Sequence, residues 1–163
     1  MKVNVQNIPP EGLHLNFAEH PVILESESLV VKGSIEGMLS MQKLGEVDVH
    51  VRGSLSAHLL LPCGRCLNAF DHLVESDFYV DCTHEIKTPV GGLEYRLSGE
   101  DLNLQFYQGE TLDINEIIES QIHLEIPMVP LCKEDCKGLC PTCGEDLNTN
   151  ICGCLVTPKI PGV

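Results

Sequence analysis

Cysteine dominates the chemistry available to this chain. It has nine cysteines, six of them between Cys132 and Cys154. The piece Cys140-Pro141-Thr142-Cys143-Gly144 has the pattern of a metal knuckle. Two thiolates three positions apart can grip one Zn²⁺ at about 2.3 Å, and the glycine lets the backbone turn its amides toward the sulfurs. A tetrahedral site needs two more ligands, which Cys132 and Cys136 offer on one side and Cys152 and Cys154 on the other. We place first one structural zinc on Cys132, Cys136, Cys140 and Cys143. Six thiolates also fit two zincs with bridging sulfurs, or an iron–sulfur cluster. A catalytic zinc needs an open position, a His or carboxylate ligand and a nearby base, and this all-cysteine set offers none of them.

A second pair, Cys63 and Cys66, flanks Gly64 and Arg65. It is readable as half of a second metal site completed by Cys82 and His84, as packed small residues, or as a thiol redox pair. A thioredoxin-type pair stands at a helix N-terminus after a parallel strand, where the dipole lowers a thiol pKa. Cys63 and Cys66 fall between two strands of a hairpin pattern, so redox chemistry is the alternative function and not the first. The seven histidines are scattered. No Ser/His/Asp order, phosphate-binding glycine loop or paired-carboxylate motif is present.

The elements that must position these thiols read mainly as strands. Val3 and Val5, then Leu13, Leu15 and Phe17, alternate with polar neighbours on either side of a Pro9-Pro10-Glu11-Gly12 connection. From Val31 the odd positions run Ile35, Leu39 and Met41; they resume as Val47, Val49, Val51, Leu55, Ala57, Leu59 and Leu61. Phe70, Val74, Phe78 and Val80 then alternate with Asp71, Glu75, Asp77 and Asp81. This is the pattern of long half-buried antiparallel strands, with Cys63 and Cys66 at a hairpin tip. Residues 87–101 read as a loop. After them the isoleucines at 114, 117, 118 and 122 fall on one helical face, with Asp113 as N-cap and Pro127 and Pro130 as the stop. The expected architecture is α+β: a curved antiparallel sheet, barrel- or sandwich-like, one amphipathic helix near 113–124, and a cysteine-rich zinc-binding element. The body spans 1–130, the tail 131–156, and 157–163 form a flexible end.

Charge narrows the partners. Lys and Arg number 10 against 24 Asp and Glu, a net −14. Residues 1–130 hold 7 and 20, and residues 131–163 hold 3 and 4, so neither part presents a cationic stripe for a phosphate backbone. A basic ribosomal or assembly protein fits better, with any ribosomal RNA contact indirect and no small-molecule substrate. The acidic strand face Asp71, Glu75, Asp77 and Asp81 is the expected docking surface, and Arg65 the one expected phosphate contact. No run is long and apolar enough to span a bilayer, so no membrane role is expected. Met1–Asn7 lacks the apolar block of a secretory signal, and dense cysteines then point to a reducing, cytoplasmic setting.

The turn with Arg65 and Leu67, the helix leading to a proline, and the tail together resemble the bacterial YceD family. In the tail the resemblance rests on Cys132, Asp135, Cys136, Lys137, Gly138, Cys140, Cys143, Asn148, Cys152 and Cys154. Members are described as large ribosomal RNA subunit accumulation proteins. The resemblance implies a non-enzymatic role in synthesis, processing or stability of large-subunit ribosomal RNA, with metal as a brace.

Overall fold

The computed structural model describes residues 1–17, 29–84 and 103–154. Eight elements follow in chain order: β1 (Lys2–Asn4), β2 (Leu13–Asn16), β3 (Glu36–Lys43), β4 (Val49–Pro62), β5 (Ala69–His84), β6 (Leu104–Tyr107), β7 (Thr111–Asp113) and α1 (Ile114–Glu125). A 3₁₀ turn at Val5–Asn7 follows β1.

Five strands form one sheet in the order β2-β3-β4-β5-β6, and β1 pairs with β7 in a separate two-stranded ribbon. The long β4–β5 hairpin is its axis, registering Val49 with Cys82 at one end and Pro62 with Ala69 at the other. Strict alternation fixes this register, because a slip of one residue would turn Val51, Leu55, Ala57, Leu59 and Leu61 to water. Those side chains are buried, as are Val74, Phe78 and Val80 opposite them.

Two expectations are corrected. Among the described residues the sheet is open and not a closed barrel, and β6 runs parallel to β5 where antiparallel pairing was expected throughout. Residues 85–102, which join these two strands in sequence, lie outside the described residues. The expected loop at 87–101 and flexible end at 157–163 also lie outside them. β1 and β2 do not pair with each other; β2 continues the main sheet, and β1 sits on the strand that leads into the helix.

The helix closes the inner face. Asp113 Oδ1 accepts from the Asn115 amide at 3.1 Å, which caps the first turn. Ile114, Ile117, Ile118 and Ile122 are essentially inaccessible to water, in one cluster with Leu59, Val74 and Phe78. Burying each isoleucine contributes about 1.5–3 kcal/mol. The sheet can approach itself closely because Gly37 and Gly53 lack side chains. A Cβ on Gly37 would lie 2.1 Å from the Ser54 carbonyl oxygen, and one on Gly53 would lie 2.7 Å from Phe78 Cζ. No helix among the described residues is long and apolar enough to cross a membrane.

Candidate metal centres

The first centre is built at the tip of the β4–β5 hairpin. The Leu67 amide donates to the Cys63 carbonyl at 2.9 Å, and the Cys63 amide donates to the Asn68 carbonyl at 3.0 Å, so residues 63–68 form a tight loop. Leu67 is held at φ 62, a left-handed conformation that favours glycine. The Gly64 amide donates to the Pro130 carbonyl at 2.7 Å, which brings the segment after the helix alongside the tip. Cys132 and Cys136 arrive there, and the turn between them is closed by a bond from the Cys136 amide to the Lys133 carbonyl. The Sγ atoms of Cys63, Cys66, Cys132 and Cys136 all lie within 4.8 Å of one another.

The sulfur spacing identifies what fits between them. Cys63 Sγ lies 3.8 Å from Cys136 Sγ, and Cys66 Sγ lies 3.8 Å from Cys132 Sγ. A disulfide would bring two sulfurs to about 2.05 Å. Four thiolates bonded at about 2.3 Å to one tetrahedral ion stand about 3.8 Å apart along each edge. The group therefore has the dimensions of a single-ion S₄ site.

The second centre gathers Cys140, Cys143, Cys152 and Cys154, again within 4.8 Å. Its knuckle repeats the hydrogen bond of the first, with the Gly144 amide donating to the Cys140 carbonyl at 2.9 Å. Gly144, at φ 77, occupies the position after the second cysteine that Leu67 occupies in the first knuckle. Glycine takes that conformation at little cost.

Polar side chains tie the two centres together. Asn148 Nδ2 donates to Cys136 Sγ at 3.4 Å and to Asp146 Oδ1 at 2.7 Å, while its Oδ1 accepts from the Lys137 amide. The other Asp146 oxygen accepts from Asn68 Nδ2 at 2.7 Å, reaching back to the hairpin tip. The Asn148 backbone N–H, which donates to Asp146 Oδ1 at 2.9 Å, and then its side-chain amide hold the Asp146 carboxyl below the usual carboxylate range. Arg65 Nη1 donates to the Cys136 carbonyl at 2.9 Å and to that of Glu134 at 3.2 Å. The Arg65 carbonyl accepts from the Leu139 amide. Such contacts orient ligands without touching the ion.

Electrostatics bears on how these groups could hold a cation. Backbone amides, those of Cys132 and Cys66 foremost, bring the Cys63 thiol down to about 6. The amides of Cys143 and Thr142 bring Cys140 to about 6 in the same way. Desolvation, followed by the neighbouring thiols, pushes Cys132 up to about 12. In the other group, contact with Cys143 and then desolvation push Cys154 up to about 12. Each group thus sets a readily ionised thiol beside one that resists ionisation, and a positive charge between them would favour the thiolate form of both.

The structure redistributes the expected ligands. A single set of Cys132, Cys136, Cys140 and Cys143 is not formed: the first two join Cys63 and Cys66, and the last two join Cys152 and Cys154. No sulfur is shared between the groups, so the bridged two-zinc arrangement is also corrected. The four-iron cubane of an iron–sulfur cluster would need its ligands spread more widely than one ion does. Cys82 and His84 do not complete the first centre. They lie at the far end of β5, about 40–50 Å along the strand from its start at Ala69. Cys82 is instead a core residue whose thiol burial pushes up to about 12. Cys63 and Cys66 sit between antiparallel strands and are buried, without the helix N-terminus a redox pair uses. Arg65, expected to meet phosphate, is engaged with the tail backbone. Asn68 and Asp146 were missed; the Asn148 to which they connect was the available signal.

No solved structure matches the chain. An uncharacterised protein of Mycobacterium tuberculosis is 30% identical over 136 residues, covering 83% of this chain and 57% of that protein. The chain thus spans little more than half the length of that relative, and the same holds for an uncharacterised protein of Mycobacterium bovis. A maize protein named "Large ribosomal RNA subunit accumulation protein YCED homolog 1, chloroplastic" is 50% identical over 44 residues, which are 26% of this chain and 15% of the maize protein. The family described as "Large ribosomal RNA subunit accumulation protein YceD" matches over residues 51–161. That stretch takes in the β4–β5 hairpin, the helix and both sulfur groups, and the chain belongs to the YceD family.

Proposed function

We propose that this chain is a non-enzymatic factor supporting the accumulation of large-subunit ribosomal RNA, acting through contact with a basic protein, and that zinc in both centres is its structural brace. What carries the reading is the pairing of a family described by that role with two closed four-sulfur groups. Four thiolates and no histidine or carboxylate ligand make a soft, closed set of the kind structural zinc occupies. The first centre clamps the tail onto the hairpin, and the second folds the tail on itself. Net charge supports an indirect relation to RNA: at −14 the chain repels a polyanion at distance and complements basic ribosomal proteins.

Two measurements test this reading. Elemental analysis of the purified protein should give about two zincs per chain, with absorption spectroscopy showing sulfur ligands alone. Cells lacking the chain should show a lowered ratio of large- to small-subunit ribosomal RNA, restored by the natural sequence and not by a variant with both cysteine groups changed to serine. An unchanged ratio in the deletion strain would remove the proposed role.

A further inference from the structure

The sheet has two faces, and among the described residues only one is covered. The helix and the β1–β7 ribbon pack on the inner face, while the outer face carries polar and large apolar side chains side by side. Across it runs a trough. A cavity of about 580 Å³ lies over Met38, Arg52, Ser54 and Asp77, and one of about 520 Å³ lies over Glu36, Ser56 and Glu75. The two share Ser54 and Asp77, so they are continuous. Small residues make the floor low: Gly53 and Ser54 line the first part, and Gly37, Ser54 and Ser56 the second. Met38 and Tyr79 are exposed beside it, 64% and 52% accessible.

The carboxylates of this face divide into two classes. Asp71 accepts from Lys32 Nζ at 2.8 Å and contacts His58 Nδ1, and Asp81 contacts His50 Nδ1. Those two already have partners. Glu36, Glu75 and Asp77 have no cation against them among the described residues. Glu75 and Asp77 stand two apart on one strand, about 7 Å along it, on the same face. Glu36 lies opposite Ser56, and Ser56 lies opposite Glu75, so the third carboxylate is two strands across the same row.

We propose that this trough is the docking surface for an extended, Lys/Arg-rich segment of a basic protein. The spacing of Glu75 and Asp77 matches the two-residue repeat of an extended chain, whose every second side chain points the same way. The unpaired charges supply complementarity, and Met38 and Tyr79 supply apolar contact for the intervening residues and the lysine or arginine stems. This inference rests on the proposed function for the existence of a basic partner, and it assigns that partner to Glu36, Glu75 and Asp77. Of the acidic face read from sequence, Asp71 and Asp81 drop out.

The test uses the zinc-loaded full chain and a fluorescent synthetic peptide alternating arginine with valine. Each exposed ion pair contributes modestly and three are removed together, so the triple variant Glu36→Gln/Glu75→Gln/Asp77→Asn should bind roughly tenfold more weakly at low salt. The gap should narrow at high salt. The double variant Asp71→Asn/Asp81→Asn should stay within about twofold of the natural protein, and only the triple variant should stop sedimenting with large-subunit particles. Equal losses in both variants, or none in either, would overturn the assignment. So would binding to naked ribosomal RNA that Arg52→Gln abolishes and the triple variant leaves intact, because the trough would then be an anion site. Failure of the proposed function reads out separately, as an unchanged ribosomal RNA ratio in the deletion strain.

Discussion

Breaking the first metal centre should cost the whole body stability, and breaking the second should not. Cys66 and Cys132 are 66 positions apart, and a metal ion held by both closes the chain between them, β5 and the helix included. Treated as a cross-link on the unfolded chain, a ring of that length contributes about 4 kcal/mol. The ring closed between Cys143 and Cys152 has nine positions and contributes about 2.5 kcal/mol, confined to the tail. For a chain of this size, 4 kcal/mol corresponds to a melting-temperature loss of about 8–16 °C. Cys132→Ser/Cys136→Ser, which removes the tail's side of the first centre, and Cys152→Ser/Cys154→Ser, which removes one side of the second, should therefore separate clearly in thermal melts of the zinc-treated proteins followed by far-ultraviolet circular dichroism. The first should melt about 8–16 °C lower, and the second should retain most of the sheet transition. A Cys152→Ser/Cys154→Ser loss as large as that of Cys132→Ser/Cys136→Ser would refute the latch, as would a Cys132→Ser/Cys136→Ser melt that does not move.

Other outcomes follow from the same geometry. Gly37→Ala puts a methyl 2.1 Å from the Ser54 carbonyl oxygen at φ +146, and urea unfolding should show a loss of about 3 kcal/mol or more. Leu67→Gly relieves a left-handed leucine that is largely exposed, and should raise stability by about 0.5–1 kcal/mol in the same assay; a loss would mean that the side chain has a packing role. Ile118→Ala, at the centre of the helix–sheet contact, should cost about 2–5 kcal/mol. The Lys32 ammonium and then His58 hold the Asp71 carboxyl below its ordinary range. A depressed carboxylate stabilises above its unfolded value and loses that contribution as pH falls through the folded one. The advantage of the natural protein over Asp71→Asn should therefore be full at neutral pH and vanish in acid, measured as the difference between paired urea curves.

Much of the fold was legible because half-buried strands and an amphipathic helix leave periods of two and of 3.6 in the residues. The odd positions from Val49 to Leu61 and the isoleucines at 114, 117, 118 and 122 are the core that was read. Pairing was less legible. Nothing in Leu104–Tyr107 distinguishes a parallel edge strand from an antiparallel one, since a four-residue run has the same alternation in either direction. Val3 and Leu13 look alike as strand residues, yet one pairs with the segment before the helix and the other with the main sheet. Contacts made across a hundred residues leave no local mark.

The division of the cysteines was open to a reading that counts knuckles and not ligands. Cys63-Gly64-Arg65-Cys66-Leu67 and Cys140-Pro141-Thr142-Cys143-Gly144 are the same device, each closed by an amide-to-carbonyl bond from the fifth residue to the first. Two such devices imply two ions, with Cys132 and Cys136 left for one and Cys152 and Cys154 for the other. Proximity in sequence hid this, because Cys136 and Cys140 are separated by only three residues and invite assignment to one site. Gly138 is what divides them. It turns at φ 73, and a Cβ there would lie 3.0 Å from the Arg65 carbonyl oxygen. The chain can thus press flat against the hairpin tip, leave Cys136 in the first centre, and carry Cys140 into the second. Arg65 then fastens that crossing from the other side, through the carbonyls of Glu134 and Cys136. A residue that reads as a lone surface cation is, in the fold, part of the mechanism that keeps the two centres apart.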